Sequence, residues 1–118
     1  MKICTIKELL QADVLVCEER LGDHVYSACG SDMMSDVLAF VKDQAVLLTG
    51  LVNPQVIRTA EMMDMRCVVF VRGKKPTFDI IDLAEESGIA LLITEERMYA
   101  ACGKLYAAGL TGGSVLPK

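Results

Sequence analysis

The chain has 118 residues, a formal net charge of −4 and an apolar content of 53 % before its 9 glycines are counted. One domain is the default at that length, since domains commonly run to ~100–150 residues. An acidic chain without a basic stripe disfavours nucleic acid as a partner. The longest apolar runs, such as Cys67–Val71 and Ile89–Ile93, fall far short of the ~20 residues a membrane-spanning helix needs.

The apolar fraction exceeds the ~45–50 % of an average domain. A small chain has a high surface-to-volume ratio and cannot hide that much apolar surface alone, which suggests a buried protein–protein contact. Cys4, Cys17, Cys29, Cys67 and Cys102 show no C-x-x-C or other ligand spacing. They read as small thiols in a reducing compartment, and no metal or iron–sulfur site is expected. The segment Met1–Thr5 has no apolar h-region, so no secretory signal is expected and the expected location is the cytoplasm.

Taken in chain order, short apolar strands alternate with amphipathic helices. Thr5-Ile6-Lys7-Glu8 fits a capping box and predicts a helix start at Thr5. Val14–Cys17 reads as a strand and His24–Cys29 as a second strand or extended segment. Gly30-Ser31-Asp32 opens a helix through Met33, Met34, Val37, Leu38 and Val41, with Ser31 or Asp32 as its cap. Ala45–Thr49 is the next strand. Asn53-Pro54 starts a helix whose Val56, Ile57, Ala60 and Met63 share one face. Cys67–Val71 is a strand, and Thr77 caps a helix expected to bury Phe78, Ile81 and Ala84 before Gly88 stops it. Ile89–Thr94 is the last strand. Thr94 is expected to cap a final helix, with Glu95 and Glu96 favourable to its dipole and Tyr99, Cys102, Leu105 and Tyr106 as its apolar side.

The last three strand–loop–helix units repeat about every 22 residues, and their strands are continuous apolar runs. Such runs mark strands covered on both faces, as in a parallel sheet with helices on each side. The expected fold is therefore α/β, a three-layer sandwich with a mostly parallel sheet over residues 1–110. Residues 111–118, with Gly112-Gly113 and Pro117, read as a flexible tail.

Four stretches carry a family resemblance. They are Ala12–Val16, Leu47-Leu48-Thr49-Gly50-Leu51-Val52-Asn53-Pro54-Gln55-Val56-Ile57-Arg58-Thr59-Ala60, Val68–Val71 with Arg72-Gly73-Lys74-Lys75-Pro76, and Leu91–Thr94. In their order the chain resembles DRTGG-domain proteins over roughly residues 2–110, most of all the small stand-alone members associated with iron-only hydrogenase genes. That family is similar in fold to the N-terminal domain of HPr kinase/phosphorylase and also occurs beside CBS pairs. The resemblance implies a layered α/β domain, a homodimer and a regulatory role without catalysis. The chain departs from the name-giving motif. The Asp-Arg pair falls near Val52-Asn53, and the Thr-Gly-Gly element near Val71-Arg72-Gly73. The literal Thr111-Gly112-Gly113 lies in the tail.

Open α/β sheets bind ligands at the carboxyl ends of their strands, and helix N-termini offer free N–H groups to anions. The candidate ligand-binding residues are accordingly Thr49, Gly50, Asn53, Arg72, Gly73, Lys74, Lys75 and Thr94. Ordinary loop and cap chemistry, with both lysines solvated, is the competing reading. Neither G-x-G-x-x-G nor a Walker A pattern is present, so no motif supports a nucleotide site. The single histidine, His24, has Asp23 and Ser27 near it in sequence, but neighbours on a strand point to opposite faces. Glu18-Glu19 and Glu95-Glu96 are adjacent pairs, which rarely face one way. No catalytic residue is assigned.

Met33-Met34 and Met62-Met63-Met65 cannot all fit one helical stripe, and the outward ones suit a dimer contact. The expected function is a non-catalytic regulatory module that senses a small anionic ligand, adenine nucleotides included, or docks on proteins such as hydrogenase-related machinery. The alternative is a structural module for dimerisation or assembly. No cofactor is expected.

Overall fold

A computed structural model describes residues 1–40 and 44–112. Five helices and five strands follow in the order α1 Ile3–Leu10, β1 Asp13–Val16, β2 Ser27–Gly30, α2 Met34–Phe40, β3 Ala45–Thr49, α3 Pro54–Met62, β4 Cys67–Phe70, α4 Phe78–Ser87, β5 Ala90–Ile93 and α5 Met98–Ala107. A 3₁₀ turn, Glu18–Gly22, joins β1 towards β2.

The strands form one sheet in the order β1-β5-β4-β3-β2. Strands β2 to β5 are parallel, and only β1 runs antiparallel, against β5. Parallel neighbours need crossover helices, and crossovers of one hand stepping in one direction leave their helices on one face. Here α2 packs on α3 and α3 on α4, while α1 and α5 pack together and α5 lies against β2 and β3. The result is the three-layer α/β sandwich with a mostly parallel sheet that the strand patterning predicts. Every residue of β3 and β4 is buried, as strands covered on both faces require.

Local chemistry explains the start of α3 and the end of α4. Asn53 Oδ1 accepts from Gln55 N at 2.9 Å, with Pro54 in the first turn of α3. Gly88 ends α4 at φ 71°, the left-handed conformation glycine tolerates best. Gly30 allows a close approach, since a Cβ there would lie 2.6 Å from Cys102 Sγ on α5. Gly103, in the interior of α5, is different: among the described residues a Cβ there would meet nothing within 4 Å. Glycine in a helix interior costs about 1 kcal/mol relative to alanine.

Several expectations are corrected. Helix α1 begins at Ile3, not at a capping box on Thr5. Lys2 bridges to His24, and Ile3 N donates to Asp23 O at 3.0 Å, which fixes the start two residues earlier and buries Ile3, Ile6 and Leu10. Of His24–Cys29, only Ser27 onwards joins the ladder. Phe78 is 85 % exposed, because the buried stripe of α4 runs through Ile80 and Ala84, on the opposite side of the helix. Thr94 does not cap α5. Its Oγ1 accepts from Glu96 N, which folds a turn before the helix, and Arg97 precedes the first turn, so Glu95 and Glu96 lie outside it. Tyr99 and Tyr106 point outward, while Ala101 and Leu105 face the core. Val41 and residues 113–118, read as helix and tail, lie outside the described residues.

All five cysteines are free thiols. Burial pushes the Cys67 thiol up to about 12, and burial likewise raises Cys17, Cys29 and Cys102. Such thiols stay protonated and inert at neutral pH.

Candidate functional site

Parallel strands β2 to β5 end along one edge of the sheet, at Gly30, Thr49, Phe70 and Ile93. The loops that follow therefore meet there, and three of them carry all eight sequence-predicted site residues.

Asp32 organises this edge. Its Oδ1 accepts from Gly50 N at 2.7 Å and from Thr49 Oγ1 at 3.0 Å, tying the loop after β2 to the loop after β3. Its Oδ2 lies 3.5 Å from Arg72 Nη2, which reaches across from the loop after β4. The Gly50 N–H bond, followed by the Thr49 hydroxyl and the Arg72 guanidinium, holds the Asp32 carboxyl below its ordinary range. A carboxylate whose folded pKa is depressed contributes stability that is complete above its unfolded value and is lost as pH falls through the folded one. That contribution is thus complete at neutral pH and is lost only in acid.

The Arg72 guanidinium lies over Gly50, where any Cβ would overlap it. Arg72 itself sits at φ 62° and Gly73 at φ 67°. Two consecutive left-handed residues turn their N–H groups towards the next loop: Arg72 N donates to Glu96 O at 2.8 Å and Gly73 N to Thr94 O at 2.9 Å. A Cβ at Gly73 would come 2.5 Å from Glu95 Oε2. The loop after β4 is therefore hooked onto the loop after β5, with Arg72 on one side and the exposed Lys74 and Lys75 on the other.

Four of the predicted residues have polar groups already engaged within the protein. Thr49 is fully buried, donates to Asp32 and accepts from Leu51 N at 3.1 Å. Thr94 is buried, donates to Leu10 O at 2.7 Å and accepts from Glu96 N. The Asn53 oxygen is engaged at the start of α3, and Gly50 N is taken by Asp32. Arg72, Lys74 and Lys75 are exposed cations able to reach a bound anion.

Sequence reasoning missed Asp32 as a site residue and placed it as a cap. Ser31 Oγ takes the local role instead, accepting from Met33 N at 3.0 Å. The available signal was position, since Asp32 is the first acidic residue after the end of a parallel strand.

A small cleft of about 40 Å³ opens beside Gly73, lined also by Gln11, Asp13, Lys75, Thr94 and Glu95. It holds water-sized groups, whereas ligand pockets run to ~300–1,000 Å³. Wider shallow hollows occur elsewhere, about 270 Å³ between β2 and α5 and about 290 Å³ between α3 and α4.

His24 stacks on Tyr26 with centroids 6.4 Å apart, before the amino end of β2 and so away from this edge. Glu18 and Glu19 are exposed on the 3₁₀ turn, and Glu96 pairs with Lys104. Among the described residues no group of three or more His, Cys, Asp or Glu side chains could hold a metal, and no helix is long and apolar enough to cross a membrane.

No protein-family model and no curated protein sequence matches the chain. Its fold is similar to a solved structure of the CBS and DRTGG domains of the regulatory region of Clostridium perfringens pyrophosphatase, complexed with the activator diadenosine tetraphosphate. The TM-score is 0.71 at 17 % sequence identity, over 88 % of this chain and 45 % of that one. The chain spans less than half the length of that protein. The likeness is one of fold, a DRTGG-related α/β architecture.

Proposed function

We propose that the chain is a non-catalytic regulatory module that senses a small anionic ligand on the carboxyl edge of its sheet, with phosphate-bearing adenine nucleotides as the leading class. The observation that carries the reading is Arg72. Its side chain is 43 % exposed, lies 3.5 Å from Asp32 Oδ2, and is poised over the Gly50 loop with Lys74 and Lys75 beyond it. A guanidinium so weakly held can turn to an incoming phosphate and form a bidentate pair. Asp32 already fills the Gly50 and Thr49 donors as an internal anion, so the ligand competes with it for Arg72. The fold likeness to a regulatory region that binds diadenosine tetraphosphate supports this class of ligand. Docking on partner proteins, hydrogenase-related machinery among them, rests on the family resemblance alone.

The test is thermal unfolding with diadenosine tetraphosphate, ATP, AMP, acetyl phosphate and inorganic phosphate. A ligand at ~100 times its Kd stabilises by about 2.7 kcal/mol, a rise in Tm on the order of 10 °C for a domain of this size. Arg72→Gln should abolish the rise and Lys75→Gln reduce it. Asp32→Asn, which removes the competing charge but keeps an acceptor for Gly50, should enlarge it. The absence of any shift across the panel would leave the assembly reading in its place.

A further inference from the structure

We infer that the groove between α3 and α4 is a docking surface for a basic amphipathic helix of a partner protein. Both helices follow parallel neighbouring strands, so they lie side by side and run in the same direction. A hollow of about 290 Å³ opens between them, lined by Pro54, Arg58, Asp79, Asp82, Leu83 and Glu86. Two large apolar side chains stand in solvent at its two ends, Phe78 at 85 % exposure and Met62 at 72 %. Phe78 precedes Asp82 by one turn at the start of α4, and Met62 follows Arg58 by one turn at the end of α3. The groove shares no residue with the ligand-sensing edge, so neither surface depends on the other.

Helices α3 and α4 carry five carboxylates, Glu61, Asp79, Asp82, Glu85 and Glu86, against the single cation Arg58. Their net charge of −4 equals that of the whole chain. All six side chains are exposed, and among the described residues none is in an ion pair. The placement of this acid works against the helices. Glu61 lies in the last turn of α3, and Glu85 and Glu86 in the last turn of α4, and neither turn holds a basic residue. A helix C-terminus carries partial negative charge and favours Lys or Arg instead. Asp82 also lies three or four residues from Asp79, Glu85 and Glu86, spacings at which like charges repel. Lys and Arg side chains of a partner would relieve this repulsion and complement the negative ends of both helices.

Charge also selects the occupant. A second copy that presented this groove would bring the same acid to it. The other exposed apolar side chains lack such a selector. Tyr26, Met33 and Leu38 lie by β2 and α2, and α2 holds a single charge, Asp36. Tyr99 and Tyr106 lie on α5, whose single charge, Lys104, is paired with Glu96. The spacing within the groove fixes the form of the partner. From Pro54 to Met62 the helix rises about 12 Å, at ~1.5 Å per residue. A partner helix with apolar side chains seven residues apart spans nearly the same distance, with Lys and Arg between them to face Asp79, Asp82 and Glu86.

Fluorescence anisotropy of a labelled synthetic helix of about 16 residues, long enough to be helical alone, tests this on the full chain. The peptide carries Leu at two positions seven apart with Lys and Arg between them, and a scrambled peptide of the same composition is the control. The ordered peptide should bind with a Kd on the order of 10 µM, and about 10-fold more weakly at ~500 mM than at ~50 mM salt. Phe78→Ala should weaken it about 5-fold, and Asp82→Lys with Glu86→Lys at least ~10-fold. Arg58→Gln, which removes the groove's own cation, should tighten it. The double charge reversal places cations in the last turns of α4, so its Tm should be no lower than wild type, which separates lost binding from lost folding. Tyr99→Ala should bind as wild type does. The inference is overturned if the ordered peptide does not bind at ~500 µM, or if the scrambled peptide binds as tightly, which would mean bare attraction between opposite charges. It is also overturned if Phe78→Ala and the double reversal bind normally. Light scattering without peptide that shows a dimer abolished by Phe78→Ala would assign the groove to a second copy instead.

Discussion

Phe70→Ala is expected to lower the unfolding free energy by about 3–5 kcal/mol, a large part of the ~5–15 kcal/mol that holds a domain of this kind folded. Phe70 is fully buried at the end of β4, the central strand, and its Cα pairs with Thr49 on one side and Ile93 on the other. Its carbonyl accepts from Thr94 N at 3.0 Å. Emptying this position leaves a cavity between the sheet and the helices that cover it, over a backbone that the ladder fixes between Thr49 and Ile93 and that cannot collapse into it. Urea unfolding measures the effect as a fall in midpoint at constant m-value. A loss under about 1 kcal/mol would mean that the sheet's carboxyl edge is loosely packed, and the loop geometry built on it would lose its support.

Thr94→Val should cost about 1–3 kcal/mol, although it changes neither shape nor volume appreciably. The Thr94 hydroxyl donates to Leu10 O at 2.7 Å inside the protein and accepts from Glu96 N at 3.2 Å. It thus ties the end of α1 to the loop between β5 and α5. Valine leaves a buried carbonyl without its donor, and that desolvation is the source of the loss. Thr94→Ser, which keeps the hydroxyl, should recover most of the stability. A ligand-contacting threonine on the surface would give changes within about 0.5 kcal/mol for either substitution, so the pair of variants separates a scaffold residue from a binding residue.

The strands were legible because β3, β4 and β5 are uninterrupted apolar runs, a pattern that only doubly covered strands sustain. The start of α3 was legible in Asn53-Pro54, a pair with a local mechanism. The helix phases of α4 and α5 were legible only in part, since Ala84 and Leu105 are buried as expected. Phe78, Tyr99 and Tyr106 are apolar or aromatic, yet they lie outside the stripes through Ile80 and Ala84 and through Ala101 and Leu105. Small alanines facing the core leave a weak signal beside large exposed rings, so the ring positions dominated the pattern. The loops of the candidate site were legible as a set, since parallel topology sends every strand end to one edge. Which groups remain free was not legible, because it depends on contacts between loops, above all those of Asp32 with Gly50, Thr49 and Arg72.

Backbone amide chemical shifts of the isotopically labelled protein, followed as diadenosine tetraphosphate is added, test the proposed site most directly. The account predicts saturable shifts at Gly50, Leu51, Arg72, Gly73, Lys74 and Lys75, which all lie on the carboxyl edge of the sheet. Shifts confined to α3 and α4, or unchanged spectra at millimolar ligand, would contradict it.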